Sequence, residues 1–312
     1  LASEAARAAP RWRASAPLLM VGASLLFATM GVCVKLASAS YAAGEIVFYR
    51  GLVGAVFIAA LVAARGGSLR TPVPAMHLWR SLSGVAALCL WFYAIGRLPL
   101  ATAMTLNYMS SVWMALFMIG GAVLFGAARV DSRLVAAVLA GFVGVGLILQ
   151  PTIEQNQLWG GLAGLLSGVL AALAYLQVTA LGRAGEPETR IVFYFSIGGM
   201  AAGAATTLWT GVSAHSGAGA GLLLAIGVLA TLAQMMMTRA YAIGRTLANA
   251  GLQYLGILFA FGYGVLLFDD AVTPAALAGI ALIVGAGLAA TFVRARTPGP
   301  RRDAPVSVPA DL

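Results

Sequence analysis

The sequence predicts an all-α integral membrane protein: ten transmembrane helices arranged as two inverted five-helix repeats, with both termini cytoplasmic. Three observations carry that expectation. Hydrophobic residues make up 61% of the 312 positions and charged residues only 9%, against roughly 25% charged in soluble domains. Ten apolar runs approach the roughly 20 residues needed to cross a bilayer. Finally, the chain repeats itself. Ile46-Val47-Phe48-Tyr49 recurs as Ile191-Val192-Phe193-Tyr194 at an offset of 145, and Tyr93-Ala94-Ile95-Gly96-Arg97 recurs as Tyr241-Ala242-Ile243-Gly244-Arg245 at an offset of 148. Asn107-Tyr108 likewise faces Gln253-Tyr254 at an offset of 146, and Gly141 faces Gly279.

The first repeat, 16–150, holds predicted spans at 16–37, 45–64, 78–95, 100–125 and 134–150. The second, 158–293, holds spans at 159–182, 191–210, 221–243, 247–268 and 274–293. Prolines support the division, because a proline inside a helix removes a hydrogen bond and clashes with the preceding turn. All twelve fall in tails, in connections or at a span's first turn, with Pro17 and Pro274 opening helices and Pro99 and Pro151 between them. Gly160, Gly164 and Gly168, spaced by four, give the sixth span a small-residue face for close packing. Five spans per repeat is an odd number, so the second copy enters the membrane from the opposite side. Internal symmetry of this kind in an apolar chain is the signature of a secondary transporter, whose related parts rock around a central site.

The net charge of +9 has a topological origin. Fifteen of the 19 basic residues fall on one side, counting Arg80 in the third span's first turn, while Arg97 stands alone on the other and Lys35, Arg50 and Arg239 lie within spans. Such a bias follows the positive-inside rule and argues against nucleic acid as a partner. Cys33 and Cys89 sit inside spans as small hydrophobes, suggesting neither disulfide nor metal site. Residues 1–15 lack the apolar core of a cleaved signal peptide. The proline-rich stretch 297–312 reads as disorder within a cytoplasmic tail, 294–312.

Several local patterns together carry a family resemblance. Lys35 closes the first span, Glu45 to Arg50 reads Glu-Ile-Val-Phe-Tyr-Arg, and Leu98 to Tyr108 reads Leu-Pro-Leu-Ala-Thr-Ala-Met-Thr-Leu-Asn-Tyr. Later come Arg239-Ala240-Tyr241 and Phe268-Asp269-Asp270, with Asp270 nine positions before Gly279. Over roughly 16–293 the chain resembles the ten-helix drug/metabolite transporter superfamily built from two EamA domains. The resemblance implies alternating access around a central cavity bounded by the first, third, fourth, sixth, eighth and ninth helices. It also implies a small substrate: an amino acid, a nucleoside-like or vitamin-like compound, or a toxic analogue. The chain departs from the family at Phe125-Gly126-Ala127-Ala128, where a Gly-Glu pair is common, and at Ser110-Ser111, where a proline is frequent.

The candidate site residues are those whose polar groups need partners inside hydrocarbon. Asn107 lies seven residues into the fourth span and Gln253 six into the ninth, each about 10 Å deep from opposite faces. Cavity lining and an interhelical hydrogen bond would each satisfy them. Tyr108 and Tyr254 follow them in sequence; Tyr175, Gln177 and Gln234 add polar groups on the sixth and eighth spans. Trp91 and Trp113 offer aromatic walls or lipid anchors, and the methionines around Met104–Met118 and Met235–Met237 suit an adaptable cavity or lipid-facing packing. Lys35, Glu45 and Arg50 form an outer-mouth charge cluster, with Lys35 and Glu45 placed to pair and Arg50 about 9 Å deep. Structural contacts with snorkelling, and a cationic vestibule for anionic or zwitterionic substrates, are the two readings. Arg239, near the cytoplasmic end, reads as a snorkelling side chain.

Chemistry on the substrate finds little support. His77 and His215 are the only histidines, and the sequence contains no HExxH, no intramembrane carboxylate pair and no GxxxxGK loop. No cofactor, metal or catalytic residue is expected. No acid falls in the middle third of a span, which favours a facilitator or exchanger over proton drive, or at most coupling through Glu45 at the outer mouth. The expected protein is a multi-pass carrier of the bacterial inner membrane, working as a monomer on a small molecule. A passive channel is the alternative, and an intramembrane enzyme a weaker one.

Overall fold

The computed structural model describes residues 15–124, 157–244, 246–270 and 273–295, with five isolated positions between 136 and 147. The predicted fifth span, the departure at Phe125–Ala128, and the tails up to Ala14 and from Arg296 lie outside them, apart from those isolated positions. Every regular element among the described residues is α-helical. In chain order these are α1 (Ala16–Ala37), α2 (Ala43–Ala64), α3 (Pro74–Arg97), α4 (Leu100–Tyr108), α5 (Ser110–Leu124), α6 (Leu158–Arg183), α7 (Glu188–Thr210), α8 (Gly217–Ile243), α9 (Thr246–Leu252), α10 (Leu255–Phe268) and α11 (Pro274–Ala295). Among the described residues, seven stretches are long and apolar enough to cross a membrane: α1, α2, α3, α6, α7, α8 and the run Asn249–Phe268.

Local chemistry sets the ends. Proline opens α1 and α3 in the first turn, where its missing N–H costs nothing. Glu45 and Glu188 sit in the first turns of α2 and α7, and Lys35, Arg97 and Arg183 in the last turns of α1, α3 and α6, each matched in sign to its helix end. The Ser216 side chain accepts from the Gly219 N–H to cap α8. Gly211, at φ 87°, stops α7 in a conformation that only glycine adopts readily.

Several details differ from the sequence reading, two of which bear on the site. The third span starts at Pro74, four residues before the predicted Leu78, so Arg80 lies six residues inside α3, about 9 Å from its start, and not at the mouth. The predicted spans 100–125 and 247–268 are each interrupted, at Met109 and at Gln253–Tyr254. In the second, Tyr254 N–H donates to Gly251 O, Gly256 N–H to Gln253 O, and Ile257 N–H to Tyr254 O. These three-residue closures wind the chain into a tight turn, a feature that in mid-helix often marks a functional hinge.

Helices α1, α2 and α3 pack against α8, α7 and α6 respectively. Each pair is antiparallel: Tyr41, past the end of α1, meets Gly219 at the start of α8, while Gly244, past the end of α8, meets Ala16. Glycine permits the closest approaches. A Cβ on Gly51 of α2 would lie 2.6 Å from Ser196 O of α7, and one on Gly168 of α6 would lie 2.6 Å from Leu106 O of α4. Gly164 faces Leu106, and Gly160 faces Arg97 and Leu98, so the predicted small-residue face does carry close packing. Outward, Leu208, Trp209 and Leu266 are fully exposed apolar side chains. Large apolar groups on the outside suit lipid and would be a liability in water.

Candidate substrate cavity

Where these helices converge they line a partly open cavity of ≈40 Å³. Its wall takes Phe27 from α1, Arg50 from α2, Arg80 and Trp91 from α3, Asn107 and Tyr108 from α4, Tyr175 from α6, Phe195 from α7 and Gln234 from α8. A water needs roughly 10–15 Å³, so about three would fit. Small-molecule pockets run from roughly 300 Å³ upward, so the space at this polar centre is narrow.

Two arginines define the electrostatics. Arg50 and Arg80 are 4% and 2% exposed. Their guanidinium carbons lie 4.9 and 4.1 Å from the centroid of the Phe195 ring, hence at most 9.0 Å apart, the sum of those distances. Nε of Arg50 and both Nε and Nη1 of Arg80 have no hydrogen-bond partner. No carboxylate among the described residues pairs with either. A cation on an aromatic face gains roughly 0.5–2 kcal/mol, whereas a buried ion forfeits several kcal/mol of hydration. Phe195 therefore offsets only part of the cost. Gly84, one turn after Arg80, makes the arrangement possible, since a Cβ there would overlap Nη1 of Arg80.

Of the residues singled out in the sequence, Asn107, Tyr108, Tyr175, Gln234 and Trp91 meet at the cavity. The Asn107 amide donates to the Ser167 hydroxyl at 3.0 Å, which itself donates to Gly164 O. Gln177 sits elsewhere, accepting from the Ser83 hydroxyl at 2.8 Å. Gln253 and Tyr254 form the α9–α10 turn beside the wall; Gln253 Nε2 reaches the Met237 sulfur at 3.4 Å and its Oε1 has no partner. Tyr241 stacks on Tyr175 with centroids 5.6 Å apart, linking α8 to the site. Sequence reasoning missed Arg80, Phe195 and Phe27. For Arg80 a signal existed: an arginine four residues before a glycine in an apolar run.

The expected mouth pairing is also replaced. Lys35 does not meet Glu45; its Nζ lies 3.3 Å from Asp270 Oδ1 and 3.2 Å from Leu98 O, while Leu100 N–H donates to Asp270 Oδ2. The physical reason is α10, whose end brings Asp270 against the start of α4. Glu45 instead accepts from Ser213 N–H and lies 3.5 Å from His215 Nε2. At the opposite end of the bundle, His77 Nε2 lies 3.0 Å from Glu186, which also pairs with Arg190. Arg50 lies away from the mouth, and Arg239 reaches Glu188 at 3.4 Å. Among the described residues no cluster of three or more His, Cys, Asp or Glu could hold a metal.

Residues 14–150 match the EamA-like transporter family. The pseudopaline exporter CntI of Pseudomonas aeruginosa is 34% identical over 276 residues, spanning 88% of this chain and 95% of that protein. The chain belongs to the EamA-like transporter family. A riboflavin transporter of Rhizobium johnstonii is 32% identical over 180 residues, 56% of each chain. An uncharacterized transporter of Helicobacter pylori is 26% identical over 85% of this chain and 91% of its own. One crystal structure superposes with a TM-score of 0.66 at 22% identity, covering 90% of this chain and 99% of its own, a likeness of fold. Family membership and seven apolar helices make this a multi-pass membrane protein of a transporter family.

Proposed function

We propose that this protein is a secondary transporter that carries a small metabolite across the inner membrane by alternating access between two inverted five-span repeats, with both termini cytoplasmic. The observation that carries this reading is the cavity, a polar centre inside an apolar bundle, lined by α1–α4 from one repeat and α6–α8 from the other. The helix pairing supports it. Exchanging the repeats turns the α1–α8 contact into the α6–α3 contact and maps the α2–α7 contact onto itself. Interruptions at Met109 and at Gln253–Tyr254 fall at matching places in the two copies. The names of two relatives, a pseudopaline exporter and a riboflavin transporter, support a small organic substrate.

In this reading Asn107, Tyr108, Tyr175, Gln234 and Trp91 contact substrate in the closed state. Gln253 and Tyr254 join the path when the second repeat moves, and the Lys35–Asp270 and Glu45–His215 pairs close the outer mouth. Proteoliposome flux tests the proposal: a carrier saturates and shows counterflow. Unsaturable flux without counterflow would make it a channel, and a chemically altered product would make it an enzyme.

A further inference from the structure

We infer that the cavity is an anion site in which Arg50 and Arg80, both packed against Phe195, hold carboxylate groups of the substrate, so the molecule carried is a net-negative organic acid. The inference rests on the transport reading only in placing the substrate in this cavity. Its first support is the absence of any other counter-ion among the described residues. Each buried acid among the described residues is already engaged, Glu45 by Ser213 and His215 and Glu186 by His77 and Arg190. Two guanidinium groups nevertheless stand nine-tenths or more buried at the wall of one cavity, and charges so placed are retained where a partner completes them.

The second support is the sign of the unpaired atoms. Arg50 Nε, Arg80 Nε and Nη1, Trp91 Nε1 and Gln234 Nε2 are fully buried donors without partners, beside the Tyr108 hydroxyl, which can donate or accept. A cation or a neutral donor-rich ligand would leave these groups unanswered. A carboxylate answers them, because its two oxygens accept several N–H donors and fit the planar guanidinium fork. Phe27 and the Trp91 ring form an apolar wall beside the donors, their centroids 6.4 Å apart, which suits the carbon skeleton of such an acid.

Thermal unfolding of the purified full chain in detergent, with citrate and glutarate as probes and glutaramide as the neutral counterpart at matched ionic strength, tests the site. Citrate or glutarate should raise the melting temperature by several degrees and glutaramide should not. Arg50→Gln and Arg80→Gln should abolish the shift, and Arg80→Lys should keep part of it. No shift with either anion, an equal shift with glutaramide, or full shifts in both Gln variants would overturn the inference. Should a Gln variant fail to fold, the wild-type comparison and Arg80→Lys still decide. This readout is independent of flux. Anion binding without counterflow would sink the transport reading and leave the site standing, whereas counterflow of a neutral solute unaffected by Arg80→Gln would do the reverse.

Discussion

At Gly84 the absence of a side chain lets Arg80 turn inward, because a Cβ there would overlap the arginine's Nη1. The clashing atom is the far end of a flexible side chain, so Gly84→Ala should be absorbed by moving the guanidinium and not by unfolding α3. Transport is expected to fall about tenfold or more while membrane abundance holds, as flux and immunoblotting of the same cells would show; unchanged flux would separate Arg80 from the site. At Asn107 the Ser167 hydroxyl loses its donor on substitution, and an unpaired buried group costs about 1–3 kcal/mol. Asn107→Ala should accordingly lower kcat/KM by roughly 5- to 150-fold if that interaction is made in the transporting state. Gln253 has a long contact to sulfur and lies beside the Tyr175 hydroxyl, so Gln253→Ala should spare the fold while also slowing transport. Normal transport by both variants would remove the amides from the path.

Among the helices, α6 fixes the spacing of the bundle through Gly168, whose position against Leu106 O leaves no side chain to give way. Gly168→Val is expected to destabilise by about 1–3 kcal/mol or more, the range for overpacking, and to appear as lost abundance and a lower melting temperature. Gly221→Ala, which meets nothing within 4 Å, should change neither. The Gly160/Gly164/Gly168 spacing was legible because it is periodic and local. Span ends were legible for the same reason: the α1 limits 16–37 follow from an apolar run bounded by polar residues and opened by Pro17. The interruption at Met109 was not, since neither a proline nor a glycine lies beside it and its backbone is simply rewound. Arg80 was misplaced because His77 and Arg80 themselves break the hydropathy run, though Pro74 opens the helix there. The Lys35–Asp270 pair joins positions 235 apart, which no periodicity within one sequence can announce.

For the molecule as a whole, topology and energetics meet in one expectation about coupling. Moving Arg80 from the mouth into the bundle leaves fourteen basic residues on the proposed cytoplasmic side against Arg97 on the other. A reporter after Leu312 should therefore read cytoplasm and one between Glu154 and Asn156 the outside; a periplasmic signal from the first would discard the ten-span proposal. The described cavity wall holds arginines and tyrosines but no Asp, Glu or His, so none of its side chains has an ordinary pKa between pH 5 and 8. A proton gradient of either sign should leave accumulation near equilibrium once substrate ionisation is corrected for, and concentrative uptake retained in Glu45→Gln would reveal another proton path. The same wall sets the order of steps. An empty carrier must close around two guanidinium groups with only about three waters to solvate them, at a cost of several kcal/mol per ion. A carrier loaded with an organic acid closes around paired charges. On the proposed transport reading, reorientation of the empty form should be the slow step, and the protein should act mainly as an exchanger. In proteoliposomes, unlabelled substrate on the far side should speed release of labelled substrate about tenfold or more. Equal rates with and without far-side substrate in the wild type would show that the empty cavity closes freely.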